Sequence, residues 1–261
     1  MDDDQGGLAC LEQSYGKAEL IAVSIVSHGH GAMVDGLISA LSKLPEVSQI
    51  IVTRNIPEKV SSHGVASITE IENVLPRGFG ANHNAAFAQC RQPFFCPLNP
   101  DIEITGNPFP QLLSALDERG VALVAPLILA PDGRVEDSVR RFPGVFSLLR
   151  KAVGGNDGRY QVTPGQHDFY PEWVAGMFML FGSADFKRLG GFDEHFFLYY
   201  EDVDICVRAW RQGMQILVCP QVAVIHDARR DSHRSLRHLR WHLKSMARYF
   251  LKHWGRLPHV A

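Results

Sequence analysis

Between residues 20 and 129, short β-branched apolar runs alternate with stretches of helical character, and this alternation limits what the chain can fold into. LIAVSIVS at 20–27 reads as a strand, His28-Gly29-His30-Gly31 as a glycine-containing loop, and the residues up to Leu44 as a helix stopped by Pro45. QIIVT at 49–53 gives a second strand and Val65 to Ile71 a weaker third. Gly80 to Gln89 is Ala-rich and helical, Phe94 to Leu98 is a buried-strand candidate, and Val121 to Leu129 is another strand ending in the turn Pro131-Asp132-Gly133. Strands separated by helices imply a mainly parallel sheet with both faces covered. The expectation is therefore an α/β fold, Rossmann-like, with a mixed, mainly parallel sheet flanked by helices.

The second half is less regular. Residues 140–168, with five glycines from Gly144 to Gly165, read as a long loop. Trp173 to Phe181 reads as a strand, Ala184 to Leu189 as a helix broken by Gly190-Gly191, and Asp202 to Gln212 as a helix with Gly213 at C′. Ile216 to Cys219 and Val222 to Ile225 read as two short strands, and Ser232 to His253 as one long basic helix. The expected organisation is a flexible leader over 1–18, one domain over 19–230 and a basic amphipathic C-terminal helix within 231–261.

Composition excludes several classes. With 261 residues, 46% hydrophobic and 21% charged, the chain can bury a full core without disulfides or a structural metal. Its five cysteines form no C-x-x-C pair, which argues against a zinc knuckle and fits a reducing cytoplasm. No signal peptide or spanning run is evident, so the expected location is cytoplasmic, peripheral at most to the inner face of the plasma membrane. A pI near 6.6 and no recognisable module exclude nucleic acid as a partner, despite the basic tail. There is no complete G-x-G-x-x-G, no P-loop, no G-x-S-x-G elbow and no H-E-x-x-H.

Three segments carry candidate chemistry. Asn99-Pro100-Asp101 lies at a strand's C-terminal end, where open α/β sheets place ligands, and Asp101 there suits a hard cation shared with substrate phosphates; the same triplet also makes an ordinary turn. GGFDEHFFLYYEDVD at 190–204 interleaves Asp193, Glu194, Glu201, Asp202 and Asp204 with Phe and Tyr rings, whose desolvation raises a carboxylate toward a general base. Glu201 and Asp204 at a helix start also suit N-terminal capping. His226 ends the strand VAVIH; a lone strand-end His is more often packed than ligating, yet it could complete a metal site begun by Asp101. The loop RGFGANHN at 77–84 sets two glycines before a helix, where backbone N–H groups can approach a phosphate or sugar.

Taken in order, the opening strand with Ser27, the RGFGANHN loop, LNPD at 98–101, WVAGMFML at 173–180, GGFDEHFFLYYEDVD and His226 resemble family 2 glycosyltransferases, particularly the rhamnosyltransferase-like branch. The resemblance implies a GT-A fold and inverting transfer from a nucleoside-diphosphate sugar, dTDP- or UDP-linked, to a glycan or lipid-linked acceptor. It also implies Mg2+ or Mn2+ on Asp101 and His226. Asp202 is implied as the base, with Glu201 beside it. Ser27, Asn55, Arg77, Gly78, Asn84, Asn99 and Asp101 fall on the donor side, and Trp173, Gly176, Met177 and Asp204 on the acceptor side. Two departures bear on base recognition: Arg54 stands where the family usually carries an acid, and Pro76 where it usually carries Asn. A catalytically degenerate carbohydrate-binding scaffold and a sugar nucleotidyltransferase are the rival readings. The latter is disfavoured because His28-Gly29-His30-Gly31 has no Lys or Arg.

The tail places Leu236, Leu239, Leu243, Met246, Ala247, Phe250 and Trp254 three or four residues apart, an amphipathic helix. Three occupants suit its apolar face: the chain's own domain, a second copy in a homodimer, or an anionic membrane near the acceptor. Docking on its own domain is the expectation, because the same pattern serves a core.

Overall fold

The computed structural model describes residues 20–58, 68–144, 158–227 and 236–260. The expected leader lies outside these residues, as do residues 145–157 of the long loop expected over 140–168. The strands are β1 (Ile21–Ser27), β2 (Val47–Arg54), β3 (Ile68–Glu72), β4 (Phe94–Leu98), β5 (Ile102–Glu103), β6 (Val121–Leu129), β7 (Val139–Arg140), β8 (Trp173–Val174), β9 (Leu180–Gly182) and β10 (Gln215–His226). The helices are α1 (Ala32–Leu41), α2 (Phe79–Phe87), α3 (Phe109–Leu116), α4 (Ser183–Arg188), α5 (Glu201–Arg211) and α6 (Leu236–His253).

Eight strands form one sheet in the order β3-β2-β1-β4-β9-β6-β10-β5, and β7 and β8 form a small second sheet. β1 runs parallel to both β2 and β4, with Val23 opposite Ile50 and Cys96, so these strands end at one edge. β9 is the short reversal that joins the halves, antiparallel to β4 and to β6. β6 then runs parallel to β10, and β5 pairs antiparallel with the end of β10, His226 opposite Ile102. The sheet is mainly parallel, as the strand and helix alternation predicts, and the antiparallel β9 and β5 make it mixed, as the GT-A resemblance implies.

Both faces are covered, which explains why β1 is apolar almost throughout. Ile21, Val23 and Ile25 join α1 and α3 in one buried cluster, while Ala22 belongs to the opposite one with Phe95, Phe181 and Phe186. Phe186 centres that second layer, its ring 4.7 to 5.4 Å from those of Phe87, Phe95, Phe181 and Phe192.

Three expectations need correction. The run Trp173 to Phe181 is not one strand: β8 and β9 flank an irregular stretch at 175–179 whose backbone reaches Asn99 and Asp202 and meets β4 only through an isolated bridge between Phe178 and Leu98. The two strands expected over 216–225 are one, β10, with its register against β6 shifted between Cys219 and Ala223; Pro220 in that stretch has no N–H for the ladder. Helix α3 escaped the sequence reading although Phe109, Leu112, Leu113 and Leu116 repeat at helical spacing; Pro108 at its cap and Pro110 in its first turn, where proline is tolerated, mask the pattern.

Candidate functional site

β1, β2 and β4 end together at Ser27, Asn55 and Asn99. The Asn55 amide donates to the Ser27 carbonyl at 2.8 Å, and Ser27 Oγ accepts from the His30 amide at 3.3 Å. Asn55 Oδ1 accepts from the Arg77 amide at 2.7 Å and its Nδ2 donates to the Arg77 carbonyl at 2.9 Å. Asn73 ties Asn55 Oδ1 to Asn82 Oδ1 at 2.8 and 2.7 Å. Asn55 is nearly buried and thus fixes the Arg77 backbone; the Arg77 guanidinium itself stays half exposed, 3.6 Å from Glu194 Oε2. The Arg54 departure also has a structural account. Its buried guanidinium bridges Glu70 at 2.5 Å and Glu72 at 2.7 Å, so the strand end is built around a cation held by two β3 acids.

Two residues expected on the donor side serve packing. A Cβ on Gly78 would lie 2.5 Å from the Phe197 carbonyl oxygen, so this glycine lets α2 start against the 190–200 segment. The Phe79 amide donates to that carbonyl at 2.9 Å. Asn84 Nδ2 donates to the Phe192 carbonyl at 2.9 Å and to Glu194 Oε1 at 3.0 Å, while its Oδ1 accepts from the Phe192 amide at 2.9 Å. Its amide group is spent on that loop.

The antiparallel pairing of β5 with β10 brings Asp101 and His226 together. The Asp227 amide donates to the Asp101 carbonyl at 2.9 Å, and His226 Nε2 faces Asp101 Oδ2 at 3.2 Å. The other ring nitrogen, Nδ1, meets Glu136 Oε2 at 2.7 Å. Burial opposes charge on this imidazole, but the carboxylates of Asp101 and Glu136 outweigh it and push its pKa up to about 9. Sequence reasoning missed Glu136. The available signal was an acid just past the turn after β6, the strand that neighbours the one ending in the His, because a ligating His usually hands its second nitrogen to a carboxylate. Asp101 Oδ1 is buried without a hydrogen-bond partner. An orphaned carboxylate oxygen beside an imidazole nitrogen fits a divalent ion. Among the described residues no group of three or more metal-ligating side chains exists, so two protein donors would need oxygens from a bound diphosphate to complete the shell.

The carboxylate segment enters α5 through two successive left-handed residues, Tyr199 (φ 71°) and Tyr200 (φ 69°). Non-glycine residues rarely adopt this conformation, each at roughly 1–2 kcal/mol, so packing from elsewhere holds them there. The bend delivers Asp202 to Gly176: its Oδ2 accepts from the Gly176 amide at 3.1 Å and its Oδ1 from its neighbour Val203 at 2.8 Å. A Cβ on Gly176 would sit 3.2 Å from Phe79 Cζ, a tight contact that a larger residue could keep only if the Phe79 ring gave way by a few tenths of an ångström. The Met177 carbonyl accepts from the Asn99 amide at 2.9 Å. Consecutive residues therefore tie the Asp202 carboxylate to the turn that carries Asp101.

Burial raises both neighbouring acids, and they diverge. Glu201 is buried with Oε2 unpartnered, and burial, then Asp202, then Asp204 drive its pKa far above the carboxylate range. Asp202 is only partly exposed, and burial raises it less because the Val203 and Gly176 amides favour its charge. Of the pair, Glu201 is the acid held more strongly toward its protonated form, and Asp202 the one whose charge the amides favour. Trp173 keeps a half-buried ring, its Nε1 donating to the Arg141 carbonyl at 2.9 Å.

Asp204 departs from the expectation of acceptor contact. It is fully buried, with Oδ2 2.7 Å from Arg208 Nε and Oδ1 2.6 Å from Lys252 Nζ and 2.8 Å from His253 Nε2. These oxygens join α5 to α6 and leave no room for a sugar.

Comparison with known proteins adds independent evidence. Residues 163–234 match the family described as the N-terminal domain of galactosyltransferase. The rhamnosyltransferase WbbL of Escherichia coli (strain K12) is 28% identical over 248 residues, 89% of this chain and 93% of that protein. The N-acetylglucosaminyl-diphospho-decaprenol L-rhamnosyltransferase of Mycobacterium tuberculosis is 32% identical over 158 residues, 56% of this chain; the match spans only 51% of that longer protein. Among solved structures, GalNAc-T7 with UDP, GalNAc and Mn2+ superposes with a TM-score of 0.63 at 16% identity, covering 91% of this chain and 48% of that one.

Proposed function

We propose that this family 2, rhamnosyltransferase-like protein of the GT-A fold moves a sugar from a dTDP- or UDP-linked donor to a hydroxyl of a glycan or lipid-linked saccharide, with inversion at the anomeric carbon. The observation that carries this reading is the link through Gly176 and Met177, which ties the Asp202 carboxylate, held by two backbone amides, to the turn bearing Asp101.

The acceptor oxygen attacks the anomeric carbon as the bond to the diphosphate breaks, through an oxocarbenium-like state. Asp202 takes the hydroxyl proton; the Gly176 and Val203 amides aim its oxygens, and Glu201 beside it, held toward its protonated form, adds little competing charge. Ser27, Asn55, Arg77 and Asn99 shape the donor side, with Arg77 presenting the half-exposed cation. Trp173, Gly176 and Met177 border the acceptor. Asp101 and His226 would hold Mg2+ or Mn2+, which when bound supplies positive charge to the leaving diphosphate.

The test is NMR of the product formed from an anomerically pure donor. The expected linkage has the opposite anomeric configuration; retention would exclude single displacement. In the same assay, kcat is expected to rise with pH on an acid limb above about 3.9, the unperturbed Asp value. The base must be ionised, and burial raises the Asp202 pKa, so activity is absent below that raised value and present above it. An acid limb at or below the ordinary value would point to a different base.

A further inference from the structure

Helix α6 does dock on the domain, but not through its leucines. The face it buries is polar and aromatic: Ser245 donates to the Leu198 carbonyl at 2.8 Å, Tyr249 stacks near Tyr200 at 5.2 Å, His253 reaches Asp204, and Trp241 lies 4.8 Å from Phe197. The apolar stripe points the other way. Leu236 is 80% exposed, Leu239 53%, Leu243 49% and Leu251 83%. At 100° per residue these four leucines and Ala247 fall within an arc of roughly 120°. Lys244, Arg237 and Arg248 follow along one border of that arc, Arg240 lies just inside the same border, and the helix contains no Asp or Glu.

We infer that this outward face of α6 is a binding surface for an anionic phospholipid membrane. Charge chooses the occupant: a second copy of α6 would set cation against cation across the leucines, whereas anionic headgroups satisfy the basic border as the leucines enter the acyl boundary. The helix also packs on Phe197, Tyr199 and Tyr200, the residues leading into Asp202, so membrane seating would hold the catalytic segment near the bilayer. Among the described residues no helix is long and apolar enough to span one.

The experiment is co-sedimentation of the full chain with phosphatidylglycerol–phosphatidylcholine vesicles and with phosphatidylcholine alone, without donor or acceptor, so its outcome is independent of the proposed reaction. Binding is expected only to the anionic vesicles. It should weaken about tenfold or more in Leu239→Ser/Leu243→Ser/Leu251→Ser and in Arg240→Glu/Lys244→Glu, with melting temperatures unchanged. Absence of binding, or binding indifferent to both variants, overturns the inference. So does a dimer in light scattering that the leucine variant converts to monomer without affecting vesicles, which would make a second copy the occupant.

Discussion

Asp202→Asn is expected to lower kcat by about 10²- to 10⁴-fold, the usual contribution of a positioned general base, while donor affinity stays within a few fold. Asn keeps the shape and one acceptor oxygen for the Gly176 or Val203 amide but cannot take a proton. Glu201→Gln provides the contrast. Glu201 is buried and its pKa is pushed up by that burial, so an amide in its place disturbs the site's charge less, and kcat should fall far less. Steady-state kinetics on both variants check this. Comparable losses in the two, or near-normal turnover by Asp202→Asn, would take the base role away from Asp202.

Asp204→Ala is expected to cost about 3–5 kcal/mol of stability, because it strips the shared carboxylate from Arg208, Lys252 and His253 where α5 meets α6. Burial works against the Asp204 charge, but His253, Arg208 and Lys252 outweigh it and depress its pKa. A depressed carboxylate stabilises fully above its unfolded value, about 3.9, and loses that contribution as pH falls through its lower folded value. Urea unfolding of both proteins at neutral and acidic pH should therefore show a stability gap that narrows below about pH 4. A gap under ~1 kcal/mol at neutral pH would mean that the cluster is incidental to holding α6.

The halves of the molecule were not equally legible in the sequence. The parallel half reads directly, because strands buried on both faces must be apolar throughout and their helices must be amphipathic; β1, β2, β4 and β6 lie where the pattern puts them. The catalytic bend was visible as acids among aromatics, but not the division of labour within it. Glu201, Asp202 and Asp204 are near neighbours in sequence, and their roles differ only because Gly176, Lys252 and His253, from distant segments, reach two of them. Gly78 and Asn84 look like donor contacts from a motif, and their packing against Phe197 and Phe192 becomes visible only once the chain has folded back. Periodicity likewise announced an apolar face on α6 but could not say that the domain would grip the opposite one, since hydrogen bonds to Leu198 and Asp204 decide the orientation.

Transfer from a nucleoside-diphosphate sugar would rest on a metal-assisted donor site anchored on Asp101. Isothermal titration of dTDP, UDP, GDP and their sugars, with and without Mn2+, into the native protein and into Asp101→Ala tests it most directly. One dTDP- or UDP-type ligand is expected to bind tightly only with Mn2+ and to lose at least tenfold in affinity in the variant, about 1.4 kcal/mol or more. Binding that ignores both Mn2+ and the substitution, or no binding by any nucleotide, would contradict it and leave a GT-A scaffold without the transferase chemistry proposed for it.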